Sequence, residues 1–239
     1  MKQSGIFSNS HKPALPAFLQ SHRRGEKYME ENNKKIILDL CGGTGAWSEP
    51  YRKAGYDVRN ITLPKFDLLK WRSYSEITEP VSAGNVYGIL AAPTCTHFSR
   101  ARTTAKTPRD FINSMKLVRA CLEIVEETQY VNSFYLQFWA LENPAGHLAR
   151  FLGKPPYKFQ PYYFGDRYSK ETYLWGFYNL PKESPIALNQ QELFESRVNV
   201  RPLPKIPQGY EKDEAMKDVQ IRRSITPPNF GLAFFEANP

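Results

Sequence analysis

Short apolar runs alternate along this chain with longer stretches of helical periodicity. Lys34-Lys35-Ile36-Ile37-Leu38-Asp39-Leu40 is apolar and contains β-branched residues, the pattern of a buried parallel strand. It runs into Gly42-Gly43-Thr44-Gly45 and a predicted helix from Ala46 to Ala54, closed by Gly55 as a C-terminal signal. Tyr56 to Leu63 reads as the second strand, and Val86 to Ala92 as the strand feeding the loop around Cys95. Thr107-Pro108-Arg109-Asp110 predicts a helix start, with Thr107 as N-cap, Pro108 at the first position and Asp110 at the third. That helix should run to about Tyr130 along a stripe of Phe111, Met115, Val118, Cys121, Leu122 and Val125, where Cys121 reads as a core thiol. Phe134 to Leu141 predicts a further strand that ends in Glu142, and the aromatics from Tyr157 to Tyr178, Trp175 included, read as core.

Strand, glycine turn and helix form the start of a nucleotide-binding, Rossmann-like α/β sheet, because glycines let the backbone approach a ligand closely and take up positive φ. The glycines lack the dinucleotide spacing, and no Lys-Ser/Thr of a phosphate loop follows them. Ligands of parallel α/β sheets bind beyond the carboxyl ends of the strands. The glycine turn, Cys95 and Glu142 each follow a predicted strand, so all three should share one sheet edge. Residues 1–33 read as a flexible basic arm and 34–181 as the compact α/β core. Residues 182–217, rich in Pro, Asn, Gln and charge, read as a loop-rich appendage covering the site, and 218–239 as a return to the core.

Composition narrows the setting. With 239 residues and 41% hydrophobic content, one domain with a substantial core is expected. Three cysteines without paired or metal-like spacing favour a reducing compartment and argue against a zinc site, so no metal is expected. No apolar stretch approaches a membrane span and no secretory signal opens the chain, which points to the cytoplasm. The net charge of +8 favours a polyanionic partner.

The chemistry is concentrated in three segments: Asp39-Leu40-Cys41-Gly42-Gly43-Thr44-Gly45, Ala92-Pro93-Thr94-Cys95-Thr96-His97-Phe98-Ser99 and Leu141-Glu142-Asn143-Pro144. A glycine loop, a thiol nucleophile and a carboxylic acid in this order resemble the DNA cytosine-C5 methyltransferase family, and the resemblance runs from about Lys35 to the C-terminus. It implies a Rossmann-like S-adenosylmethionine-dependent methyltransferase fold and a catalytic set of Cys95, Glu142, Asn143 and Lys170. It implies contacts to S-adenosylmethionine from Asp39, Gly42, Gly43, Gly45, Trp47, Thr62, Asp67, Ser224 and Thr226. Arg100, Arg102 and Lys170 would contact double-stranded DNA, and the setting implied is a bacterial or phage-infected cell. Phe164 to Tyr173 resembles the strand carrying the family's Gln-x-Arg-x-Arg motif, and Ser224-Ile225-Thr226-Pro227-Pro228 its closing segment beside the cofactor.

The chain also departs from the pattern. Thr94 stands between Pro93 and the nucleophile, Thr62 where an acid binds the cofactor ribose, and Cys41 where a Phe stacks on adenine. Tyr168-x-Lys170-x-Thr172 keeps one positive charge where the family has Gln and two arginines. A free thiol titrates near 8.5, so basic groups such as Arg100 and Arg102 are expected to favour the thiolate. His97 reads as a loop-packing side chain. Three other functions remain open: the same chemistry on RNA, a non-catalytic DNA-binding relative, and transfer from another one-carbon donor.

Overall fold

The computed structural model describes residues 31–190 and 203–239, apart from 104 and 208. Most of the expected N-terminal arm and the middle of the expected appendage lie outside the described residues. The chain builds a mixed α/β fold around a six-stranded, mostly parallel sheet, compatible with a Rossmann-like arrangement. The strands are β1 (Ile36–Leu40), β2 (Asp57–Ile61), β3 (Val86–Ala91), β4 (Phe138–Pro144), β5 (Tyr157–Phe159) and β6 (Thr172–Phe177). Their order is β2-β1-β3-β4-β6-β5, with β1 to β4 parallel and β6 antiparallel to both its neighbours. The chain steps outward from β1 to β2 and then crosses back to β3. That reversal opens a crevice beyond the carboxyl ends of β1 and β3, where ligands bind in such sheets.

Strand alternation sorts the core into two layers. Leu38 and Leu40 face one side with Ile89, Ala91 and Leu141, packed against helices α2 (Ser75–Ser82) and α3 (Phe111–Asn132). Ile37, Leu90, Phe138 and Ala140 face the other, against Tyr51 of helix α1 (Glu49–Lys53) and Phe230 and Phe234 of the C-terminal helix Pro228–Ala237. On α3, Met115, Val118, Cys121 and Val125 are buried as the helical stripe predicts, Phe111 and Leu122 are half-buried, and Ile124, outside that stripe, is wholly buried. Each buried aliphatic side chain of this size stabilises the fold by roughly 1.5–3 kcal/mol. The C-terminal segment returns to the core: Phe230 stacks on Phe159 at 4.0 Å, and Tyr51 donates to the Asn238 carbonyl at 2.8 Å. Among the described residues no helix is long and apolar enough to cross a membrane.

Four boundaries differ from those read in the sequence. α1 starts at Glu49, not Ala46, because Ser48 turns its hydroxyl to Asp39 and leaves the helix without a side-chain cap. α3 starts at Phe111, and its N-cap is Asp110, whose carboxylate accepts from the Asn113 N–H at 2.9 Å. Thr107 accepts instead from Arg102. β4 starts at Phe138, four residues late, since Phe134 lies on the turn after α3 and is 94% exposed. Tyr168 to Lys170 sit in the loop before β6 rather than in the strand itself.

Candidate active site

The glycine turn, Cys95 and Glu142 lie at the carboxyl ends of β1, β3 and β4, three parallel strands, and so at one edge of the sheet. At the first of these ends, Asp39 is a wholly buried carboxylate that accepts from Ser48 Oγ at 2.5 Å. Burial lifts its pKa to about 6, against the opposing hydrogen bond from Ser48 and the charge of Arg52. Gly42 is required beside it, since a Cβ there would sit 2.3 Å from the Asp39 carboxyl carbon. Gly43 follows at φ +54° with open space where a side chain would stand. Asn60, at the end of β2, donates from Nδ2 to the Gly43 carbonyl at 3.0 Å and so holds the turn. Cys41 also takes a left-handed φ of 57°, and its side chain packs against the α3 layer, where its thiol hydrogen-bonds Cys121.

The other predicted cofactor residues are dispersed in role. Trp47 is buried between Phe230 and Phe234 with its indole N–H unpartnered among the described residues. Thr62 lies one residue beyond β2, and Thr226 is buried before the C-terminal helix. Asp67 caps its own short helix by accepting from the Leu69 N–H, and the exposed Ser224 donates its hydroxyl proton to the Ile221 carbonyl. Neither Asp67 nor Ser224 offers its side chain to the glycine turn in this arrangement.

At the second corner, the Cys95 carbonyl accepts from the Phe98 and Ser99 N–H groups, so Cys95 opens a tight turn. Asn143 Nδ2 donates to the Pro93 carbonyl at 2.9 Å, tying that turn to β4 beside Glu142. Burial pushes the Cys95 thiol up; the Lys170 charge pulls it down and the Glu142 charge raises it. Burial likewise raises Glu142, again opposed by Lys170. Cys95, Glu142 and Lys170 therefore share one electrostatic environment. Lys170 is buried, at 7% exposed, and Glu142 Oε2 has no hydrogen-bond partner among the described residues.

One expectation changes here and one holds. The cation that favours the thiolate is Lys170, not Arg100 or Arg102. Arg100 pairs with Glu171 at 2.9 Å and Arg102 donates to Thr107. The Asp110 N–H donates to His97 Nδ1 at 2.7 Å, which occupies that nitrogen and leaves His97 a loop-packing side chain.

The sequence reading missed Arg109, Asn60 and Asp166. Arg109 donates to the carbonyls of His97, Ser99 and Arg102 at 2.7, 3.0 and 3.3 Å, fastening the loop that follows Cys95. Asp166 accepts from the Asn229 backbone N–H at the start of the C-terminal helix, and burial raises its pKa to about 6. Only the Thr-Pro-Arg-Asp cluster before α3 signalled any of these in advance, and it signalled a cap rather than a clamp.

Buried polar atoms without partners collect along this edge. They include Asp39 Oδ1 and Asn60 Oδ1 at the first corner, and Glu142 Oε2, Asn143 Oδ1 and the Tyr168 hydroxyl at the second. Native proteins leave few such atoms unpaired, and a ligand that completes them is one standing explanation. A cavity of about 500 Å³ lies elsewhere, in the appendage between Leu203, Ile206, Met216 and Arg222, and shares no lining residue with this set. No protein-family model matches the chain, and no curated protein matches it at a significant level.

Proposed function

We propose that this protein transfers a methyl group from S-adenosylmethionine to C5 of cytosine in DNA, through a covalent bond between Cys95 Sγ and C6 of the base. The observation that carries the reading is the convergence of Cys95, Glu142 and Lys170 in one electrostatic environment, with both charged residues buried and Glu142 Oε2 left without a hydrogen bond among the described residues. Cytosine C5 is a weak nucleophile until a thiolate adds at C6 and makes an enamine. Lys170 favours the thiolate against the cost of burial. Glu142, raised by burial, holds a proton readily and gives it to N3 as the sulfur adds. Asn143 keeps the Cys95 turn against β4, which fixes the distance between thiol and acid.

The glycine turn fits the cofactor: Gly43 leaves open space, and Asp39 Oδ1 and Asn60 Oδ1 are buried acceptors awaiting donors. Asp39, Gly42, Gly43, Gly45, Asn60, Trp47 and Thr62 would hold it, with Thr226 behind. When bound, its sulfonium supplies an electrophilic methyl group. Loss of the C5 proton then lets Cys95 leave. A base stacked in a duplex cannot reach a half-buried thiol at the sheet edge, so the nucleotide must turn out, at a cost of a few kcal/mol.

A duplex carrying 5-fluorocytosine should trap the wild-type protein covalently in the presence of S-adenosylmethionine, because fluorine cannot leave as a cation. Cys95→Ser should abolish both trapping and turnover while it retains cofactor affinity. Trapping that persists in Cys95→Ser overturns the assignment. The inward commitments of Asp67 and Ser224 favour a second reading, a DNA-binding relative without methyl transfer. Calorimetry separates the two, since such a relative would take up no S-adenosylmethionine.

A further inference from the structure

We propose that the outer face of the Cys95 loop is a phosphodiester-binding surface, on which Arg100, His147 and Arg150 seat the nucleic-acid backbone next to the target base. The proposal rests on the function argued above and adds where the substrate lies. Two segments distant in sequence are joined here backbone to backbone. Ser99 and Gly146 form an antiparallel bridge, the His147 N–H donates to the Phe98 carbonyl at 2.8 Å, and the Arg100 N–H donates to the Ala145 carbonyl at 3.3 Å. The approach is close enough that a Cβ on Gly146 would stand 2.0 Å from the Phe98 carbonyl oxygen. The Arg150 N–H then donates to the His147 carbonyl at 2.9 Å, which sets Arg150 one turn beyond the histidine.

Tertiary pairing thus brings Arg100, from the loop after Cys95, beside His147 and Arg150, from the loop after Glu142. Arg109 braces the face from within through its three bonds to carbonyls. His147 is backed by an apolar surface, its ring edge-on to Phe111 at 5.4 Å. Arg100 and Arg150 are exposed, and the Arg150 guanidinium has no partner among the described residues. The acid bonded to Arg100 is the exposed Glu171, a pair that solvent screens and a phosphate can replace. Desolvation first, and then the charges of Arg150, Arg109 and Arg100, hold the His147 pKa low.

Guanidinium forks match phosphate oxygens in bidentate geometry, and a row of them along a loop suits a chain of phosphates better than a single small anion. A base whose ring reaches Cys95 and Glu142 leaves its flanking phosphates at the pocket rim. The segments that directly follow those two residues form that rim. DNA and RNA share this backbone chemistry.

The test is the salt dependence of binding, read by fluorescence anisotropy with a short labelled DNA duplex and with an RNA stem-loop of equal length. Arg150→Ala should make the slope of log affinity against log salt shallower by about 0.9 for a duplex, the value expected when one phosphate fewer is neutralised. The weakening should be the same for every sequence, while cofactor affinity and the thermal midpoint stay at wild-type values. Arg100→Ala combined with Arg150→Ala should flatten the slope further. The affinity loss should be greater for the DNA duplex, and an equal or greater loss for the RNA stem-loop overturns DNA as the occupant of this face. Unchanged slopes on both probes overturn the surface, and so does a wild-type protein that binds neither. A flattened slope without 5-fluorocytosine trapping by wild type keeps the surface and overturns the methyl-transfer reading. Trapping by wild type and variant alike, with unchanged slopes, does the reverse.

Discussion

The two corners of the sheet edge are built on different principles. At the glycine turn each buried polar side chain is engaged inside the protein through one atom, Asp39 with Ser48 and Asn60 with the Gly43 carbonyl, while its other oxygen stays open to a ligand. At the Cys95 corner the backbone is equally well tied, by Asn143 to Pro93 and by Arg109 to three carbonyls. Its buried acid, Glu142, is answered only by the charge of Lys170, and Oε2 has no hydrogen bond among the described residues. A buried charged group without a hydrogen bond is costly. The first corner is a cradle whose shape is held by its own bonds. The second is a rigid frame around groups whose partners must arrive with a ligand, which is how a reactive site is held ready.

The sharpest way to break this contrast is at the acid. Glu142→Gln keeps the size of the side chain but removes the proton given to N3, and under the proposed chemistry turnover should fall by roughly 10²–10⁴. DNA affinity should barely change. Single-turnover rates per folded molecule check it, and a variant that unfolds yet keeps its specific rate would make Glu142 a structural residue like Asp39.

Asp39 probes the cradle through stability. Its pKa in the folded state is about 6 against an ordinary 3.8, because burial disfavours the charge. The native state therefore holds the proton more tightly than the unfolded chain, and stability falls as pH rises from about 4 to about 6. At neutral pH the penalty is on the order of 3 kcal/mol. Asp39→Asn should remove that part of the pH dependence, read from urea midpoints at pH 4 and pH 7. Parallel curves for variant and wild type would show that the carboxylate is not desolvated as described.

The smallest effect is expected at Lys170. Its ammonium lowers the Cys95 pKa, so Lys170→Gln should raise that pKa and move the rising limb of the pH–rate profile to higher pH. The variant should therefore hold less thiolate than wild type at neutral pH. Alkylation of Cys95 by iodoacetamide, followed by mass spectrometry across pH, reports the same shift without turnover. An unmoved profile in both measurements would assign the thiolate to another group.

Legibility followed the range of the forces involved. β1, β3 and the stripe on α3 were readable because alternation and helical spacing repeat within a few residues. The start of α3 was misplaced by the same local logic. Thr107-Pro108-Arg109-Asp110 is a sound N-cap sequence, but Arg109 and the Asp110 N–H are drawn to the Cys95 loop, and the helix begins only after them. Asp166, which bonds the first turn of the C-terminal helix across more than sixty residues, left no local signal at all.

By itself the sequence determined which elements form and the order of the chemical groups along them: a glycine turn after β1, a thiol after β3 and an acid at the end of β4. Parallel strand order then required these to share an edge. Tertiary structure alone decided which cation faces the thiol. Arg100, Arg102 and Lys170 are equivalent as positive charges in a sequence. Folding turns Arg100 outward to Glu171 and Arg102 to Thr107, and buries Lys170 beside Cys95 and Glu142. The reason is physical: electrostatic effect depends on distance and dielectric, and both are set by packing between segments that meet only in the folded chain.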